Sequence, residues 1–103
     1  MYTSKDLIKL LKEKENLPSD YAVSKFLGVT SQSIYKIQNK NTCFSEETCV
    51  LIAEHLHLDP LQVIACIQVE TGIRDKNQKK VDAWTKYAIH GKKAVDKSGI
   101  LTV

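Results

Sequence analysis

Hydrophobic residues recur at helical spacing along almost the whole chain. Leu7, Ile8, Leu10 and Leu11 share one face, while Lys5, Lys9, Lys12 and Glu13 fall on the other, the arrangement of an amphipathic helix. Thr3 with Asp6 three residues on predicts its N-cap, and Tyr2 stands where it can staple onto Leu7. Asn16-Leu17-Pro18 ends this helix, because the residue before proline disfavours helical angles. Ser19 is the expected cap of a short second helix carrying Ala22, Val23, Phe26 and Leu27, which Gly28 stops by accepting a left-handed conformation at little steric cost.

Val29 alone separates that glycine from the next cap, Thr30. A third short helix follows, with Ile34 and Ile37 turned inward, and fades into the polar turn Asn39-Lys40-Asn41. Ser45 opens a fourth helix whose first turn holds Glu46 and Glu47, where the helix dipole favours anions. Its inward stripe is Cys49, Ile52, Ala53 and Leu56. Asp59-Pro60, a cap followed by a proline in the first turn, begins a fifth helix carrying Leu61, Ile64, Ala65 and Gln68 toward Gly72. Asp75 with Gln78 resembles a sixth N-terminus. Val81, Trp84 and Ala88, with Tyr87 beside them, give that helix an apolar side, and Gly91 is expected to end it. Ile100 to Val103 has the pattern of a short strand and equally that of a frayed end. The chain is therefore expected to be all-α, with a core domain over residues 1–72, a C-terminal helix over 73–91 and a tail over 92–103.

At 103 residues and 43% hydrophobic content there is material for one domain, not two. Four Gly and two Pro argue against a linker-like chain. No apolar run is long enough to span a bilayer, and the opening residues lack a signal-peptide block, so the expected setting is the cytoplasm of a bacterial or phage-infected cell. Three cysteines, an odd number without a secretion signal, fit a reducing compartment. No Cys-x-x-Cys or His-x-x-x-His pair is present, and His55 and His57 lie two apart, pointing in different directions on a helix. The histidines and cysteines show no nucleophile–base spacing, and no Gly-rich phosphate loop occurs. The sequence thus predicts no metal, no cofactor and no enzymatic activity.

The net charge is only +3, but it is unevenly distributed. Residues 1–40 carry seven Lys and four acids, residues 41–72 carry five acids and no Lys or Arg, and residues 73–103 carry eight basic and three acidic residues. Two basic ends flank an acidic middle, a layout that can orient a protein on a polyanion or let its own ends attract its middle.

Residues 20–39 carry the most specific signal. Two short helices joined through a glycine form a helix-turn-helix, whose second helix can enter a DNA major groove. Val23, Leu27, Val29, Ile34 and Ile37 are apolar, as the wedge between the helices requires. Ser24, at the expected closest approach, is small. The outward residues of the second helix are Ser31, Gln32, Ser33, Tyr35, Lys36 and Gln38. Gln pairs bidentately with adenine, Lys suits guanine acceptors, and Ser serves either, so Ser31, Gln32, Tyr35 and Lys36 are the candidate base readers. Thr30, as cap, leaves the first N–H groups of the helix where a phosphate would lie. Lys25, Lys40 and Asn41 flank it and can hold the sugar–phosphate backbone.

The run Val29-Thr30-Ser31-Gln32-Ser33-Ile34-Tyr35-Lys36-Ile37-Gln38-Asn39, with helices before and after it, resembles the lambda repressor/Cro superfamily of phage and bacterial regulators. The similarity extends over roughly residues 3–71, including Ala53-Glu54-His55-Leu56 and Leu58-Asp59-Pro60. It implies a five-helix lambda repressor-like domain with one added helix, base reading by Ser31, Gln32 and Lys36, and phosphates near Ser33, Lys25, Lys40 and Asn41. It also implies a homodimer on a partly palindromic operator in double-stranded DNA, most simply a repressor. Many relatives carry Gln where this chain has Asp20, an acid that would repel phosphate unless it serves the cap or rejects certain sequences. The frequent Asn-Gly is replaced by Asn39-Lys40, so Lys40 or Asn41 must accommodate the turn. Val81, Trp84 and Ala88 either complete the monomer's core or form the dimer seam, and the seam is favoured because the first five helices suffice for a core. Lys79, Lys80 and Lys86 read as a solvated face before a second DNA contact, or as the answer to the acidic middle. The alternative function on this fold is a protein-binding regulator with its own protein partner, an antirepressor or antitoxin component.

Overall fold

A computed structural model describes residues 1–97 of the chain, and side chains through Ile89. Among the described residues there are six helices and no strand: α1 (Ser4–Glu15), α2 (Asp20–Leu27), α3 (Ser31–Lys40), α4 (Glu46–Leu56), α5 (Pro60–Arg74) and α6 (Gln78–Lys97). No helix among them is long and apolar enough to cross a membrane. The expected strand at Ile100 to Val103 lies outside the described residues.

The chain's caps set the helix boundaries. Thr3 and Asp6 form a reciprocal capping box on α1, with Asp6 N–H donating to Thr3 Oγ1 at 3.2 Å and Thr3 N–H donating to Asp6 Oδ2 at 3.0 Å. Ser19, Thr30 and Ser45 cap α2, α3 and α4 through their hydroxyls, and Asp59 caps α5. Gly28 ends α2 at φ +73°, and a Cβ there would meet nothing within 4 Å, so the demand for glycine is conformational and not steric. Asn16, Asn41 and His57 end α1, α3 and α4 in the same left-handed region, which Asn and His enter more readily than most residues.

Two apolar clusters meet at α5. The larger one gathers Leu7, Ile8 and Leu11 from α1, Val23 and Leu27 from α2, Ile34 and Ile37 from α3, Cys49, Ile52 and Ala53 from α4, and Val63 and Ile67 from α5. The smaller one joins Ala65, Cys66 and Val69 of α5 to Ala88, with Val81 and Trp84 packed on it. Burial on two sides explains why the single expected stripe on α5 does not hold: Leu61 is exposed and Gln68 half-exposed, while Val63, Cys66, Ile67 and Val69 are buried.

Of the two uses expected for Val81, Trp84 and Ala88, packing within the monomer is the one seen in the single chain. Val81, Trp84 and Ala88 face α5 of their own chain, and Ala88 is 1% exposed. Its carbonyl accepts from Gln62 Nε2 at 3.1 Å. These side chains pack on the monomer's own core, Ala88 fully buried and Val81 and Trp84 with part of their surface exposed.

The C-terminal boundaries also differ from expectation. Gly72 does not end α5, which runs to Arg74. Its role is close approach: a Cβ at Gly72 would sit 2.9 Å from Val81 Cγ2 and 3.2 Å from Val81 N. Asp75 is the C-cap of α5, while Asn77 Oδ1 accepts from Lys80 N–H at 3.1 Å at the start of α6. Gly91 does not end α6, which continues to Lys97. A glycine costs an interior helical position only about 1 kcal/mol relative to alanine, too little to stop a helix by itself.

One polar contact crosses the interior. Ser4 is fully buried, and its hydroxyl donates to Glu70 Oε1 at 2.9 Å while accepting from Phe44 N–H at 3.3 Å. Ser4 N–H donates to the same carboxylate oxygen at 2.8 Å, placing an anion at the positive end of α1. Replacing Ser4 by Ala removes the hydroxyl and strands the buried Phe44 N–H, so Ser4→Ala is expected to lower unfolding free energy by about 1–3 kcal/mol in urea titration. Gly72→Ala should cost a similar amount, about 1–3 kcal/mol, because α6 must move away from α5 to admit the methyl group.

Candidate functional site

Helices α2 and α3 set up a face on which one row of side chains is anchored and the opposite row is free. Ile34 and Ile37 are buried at 0% and 3% exposure. Ser31, Gln32, Ser33, Tyr35, Lys36 and Lys40 are all exposed, with Tyr35 at 51%. The candidate base readers Ser31, Gln32, Tyr35 and Lys36 therefore lie together on the outer side of one ten-residue helix. Gln38, expected to face outward with them, does not. It is half-buried, and its Nε2 donates to Asp20 Oδ1 at 3.3 Å.

That contact accounts for Asp20. The same oxygen lies 2.7 Å from Lys12 Nζ, so Asp20 ties α1 and α3 to the start of α2, where its charge also suits the helix dipole. The acid is committed to partners within the chain. Ser24, as its size suggested, is buried, and its hydroxyl donates to Tyr21 O at 2.6 Å.

The residues expected at the phosphate backbone fall into two groups. Thr30 and Ser33 are occupied with each other: Ser33 N–H donates to Thr30 Oγ1 at 3.0 Å, and the two hydroxyls are 3.0 Å apart. They cap α3 and leave the N–H groups of Ser31 and Gln32 without an intrahelical partner, as at any helix start. Lys25 is exposed, with its ammonium 5.6 Å from the centre of the Tyr21 ring. Lys40 and Asn41 stand exposed at the other end of α3. Asn41, at φ +59°, takes the left-handed position that Asn39-Lys40 left open, and its N–H closes onto Lys36 O.

Two features here were missed in the sequence. Arg74 Nη1 donates to Asn41 O at 3.2 Å, so the end of α5 holds the end of α3 across a sequence gap that no local pattern reveals. The guanidinium also forks onto Asp75, at 2.9 and 3.1 Å, and these bonds hold the Asp75 carboxyl below its usual range. Beside α3, a cleft of about 310 Å³ is lined by Ser33, Lys36, Ile37, Thr42, Ser45 and Thr48 among others. The hydroxyls of its far wall belong to the loop before α4 and to the first turn of α4, where the capping pattern at Ser45 is the only sequence signal.

Burial pushes the Cys49 thiol up to about 12 and raises those of Cys43 and Cys66, so all three are protonated thiols near neutral pH, poor nucleophiles and poor metal ligands. Among the described residues, no group of three or more His, Cys, Asp or Glu side chains is placed to hold a metal ion.

No known family model matches the chain, and no solved structure matches it. It is similar to the uncharacterized protein Gp-c of Pseudoalteromonas phage PM2, 29% identical over 85 residues that cover 82% of this chain and 92% of that protein.

Because Asp20 is half-exposed, its ion pair contributes modestly. Asp20→Ala is expected to lower stability by less than about 1 kcal/mol and to free Gln38, seen as a new solvent-exposed amide signal in NMR.

Proposed function

We propose that the chain is a sequence-specific DNA-binding transcriptional regulator of the lambda repressor/Cro type, in which α2 and α3 are the helix-turn-helix and α3 lies in the major groove. Residues 1–72 are its DNA-binding domain, and it acts as a homodimer on a partly palindromic operator, most simply as a repressor that excludes polymerase. The observation that carries this reading is the sorting of α3. Its apolar residues Ile34 and Ile37 are sealed against the core, and a contiguous outer row of Ser31, Gln32, Tyr35 and Lys36 is left exposed with the donor and acceptor types that base edges require.

Support comes also from the ends of that helix. Exposed Lys25 and the free N–H groups of Ser31 and Gln32 stand at one end, and exposed Lys40 and Asn41 at the other, where backbone contacts fix register. The pairing of Asp20 with Lys12 and Gln38 lessens the repulsion that an acid at this position would offer a phosphate. Similarity to a phage protein fits a phage-type setting. Operation in the cytoplasm and independence from cofactors belong to the same proposal.

The test is selection from a random pool of DNA duplexes at low ionic strength, followed by binding assays on the selected sequence. Gln32→Ala should relax preference at one base position and cost about 1–3 kcal/mol. Lys40→Ala should weaken all sequences about equally and reduce the salt slope by about one unit. An unchanged preference in Gln32→Ala overturns the assignment of the reading face. A wild-type chain that selects no duplex overturns DNA binding itself and passes the case to the antirepressor or antitoxin alternative.

A further inference from the structure

The turn between α5 and α6 gathers Arg74, Lys76, Lys79 and Lys80 against a single acid, Asp75. Arg74 and Lys79 are exposed, as is Lys76, which holds a left-handed φ of +56° in the turn. The turn is fastened at both sides. Asn77 N–H donates to Gly72 O at 2.8 Å and Asp75 N–H to Thr71 O at 2.9 Å, while Arg74 Nη1 reaches across to Asn41 O and, at 3.9 Å, to Cys43 Sγ. A basic segment far along the chain is thereby fixed one hydrogen bond from the residue that terminates α3, next to Lys40.

We propose that this turn is a second polyanion-binding surface, holding the phosphate backbone of the same duplex beyond the base pairs read by α3. The inference rests on the DNA-binding reading given above and adds to it a contact surface outside the helix-turn-helix.

Two further observations support it. Lys79 and Lys80 occupy the first turn of α6, which, like those of α3 and α5, holds no acid, whereas the first turns of α1, α2 and α4 hold Asp6, Asp20 and Glu46 with Glu47. Cations at a helix N-terminus oppose its dipole, so these lysines work against the helix they begin, an arrangement that function explains and folding does not. Nor do they neutralise the acidic middle of the chain. The ion pairs among the described residues are Lys12–Asp20 and Arg74–Asp75. Glu70 is engaged by Ser4, and Glu46 accepts from Gln68 Nε2 at 3.2 Å. Lys80 acts at longer range on Asp75, but Lys76, Lys79 and Lys80 form no ion pair among the described residues, and a duplex seated on α3 would present a dense array of phosphates to them.

The experiment compares the full-length wild-type chain with the Lys76→Gln, Lys79→Gln, Lys80→Gln triple variant. Both are titrated with the duplex selected by the wild-type protein, in two lengths: trimmed to the selected site, or extended by about ten base pairs, one helical turn, on each side. The variant should melt at the same temperature as wild type or slightly higher, since unfavourable first-turn charges are gone. Its log K against log salt slope on the extended duplex should fall by about two to three units. The advantage of the extended over the trimmed duplex should disappear, with base preference unchanged.

An unaltered slope and an undiminished preference for the extended duplex overturn the inference while leaving the α3 reading intact. An unaltered slope with loss of self-association in sedimentation also overturns it, assigning the patch to a second copy of the chain. Absence of binding by the wild-type chain to any duplex overturns both proposals together.

Discussion

A single buried hydroxyl fastens three distant parts of this molecule. Ser4 joins the start of α1 to Glu70 on α5 and to the backbone of Phe44 in the loop that follows α3. Each partner depends on the others. The half-buried carboxylate is held by two donors at a helix N-terminus, and the buried Phe44 N–H is satisfied because Ser4 Oγ accepts it. No buried side-chain nitrogen or oxygen is left unpaired among the described residues. Since the loop before α4 fixes where α3 ends, the aim of the exposed row on α3 is tied to the first turn of the chain.

Around that knot, α3 is held from every side except the outer one. Ile34 and Ile37 seat it in the core, Gln38 reaches Asp20 on α2, and Asn41 is gripped by Arg74 from α5. For the base reading proposed for α3, a frame that does not move gives specificity, because each bidentate contact needs side-chain positions good to a fraction of an ångström. The chain's lone arginine is spent on this frame and not on the exposed row, leaving lysine as the cation offered to solvent.

The local features of the fold were legible in the sequence, and the long-range ones were not. Capping boxes and left-handed termini depend on residues within four positions of one another, so Thr3, Ser19, Gly28, Thr30, Ser45 and Asp59 announced their helices. The inward row of Ile34 and Ile37 followed from period alone. What failed depended on which helix packs where. The face of α5 was misjudged because it is covered from two directions, and Gly72 and Gly91 were read as stops because sequence does not distinguish a glycine that ends a helix from one that lets a neighbour come near. Asp20 looked anomalous until α1 and α3 were placed beside it. The outer residues of α3 were legible, but Gln38 was misassigned, and Arg74, 33 positions from its acceptor, had no signature at all.

The sharing of α5 between two apolar clusters has a mechanical corollary. A terminal helix appended to a finished domain can peel away and leave the rest folded, but here Ala65, Cys66 and Val69 on one side of α5 are continuous with Val63 and Ile67 on the other. Detaching α6 would wet a flank of the very rod that closes the main core, so the C-terminal helix is a keystone and not an ornament, and the molecule should come apart as one cooperative body.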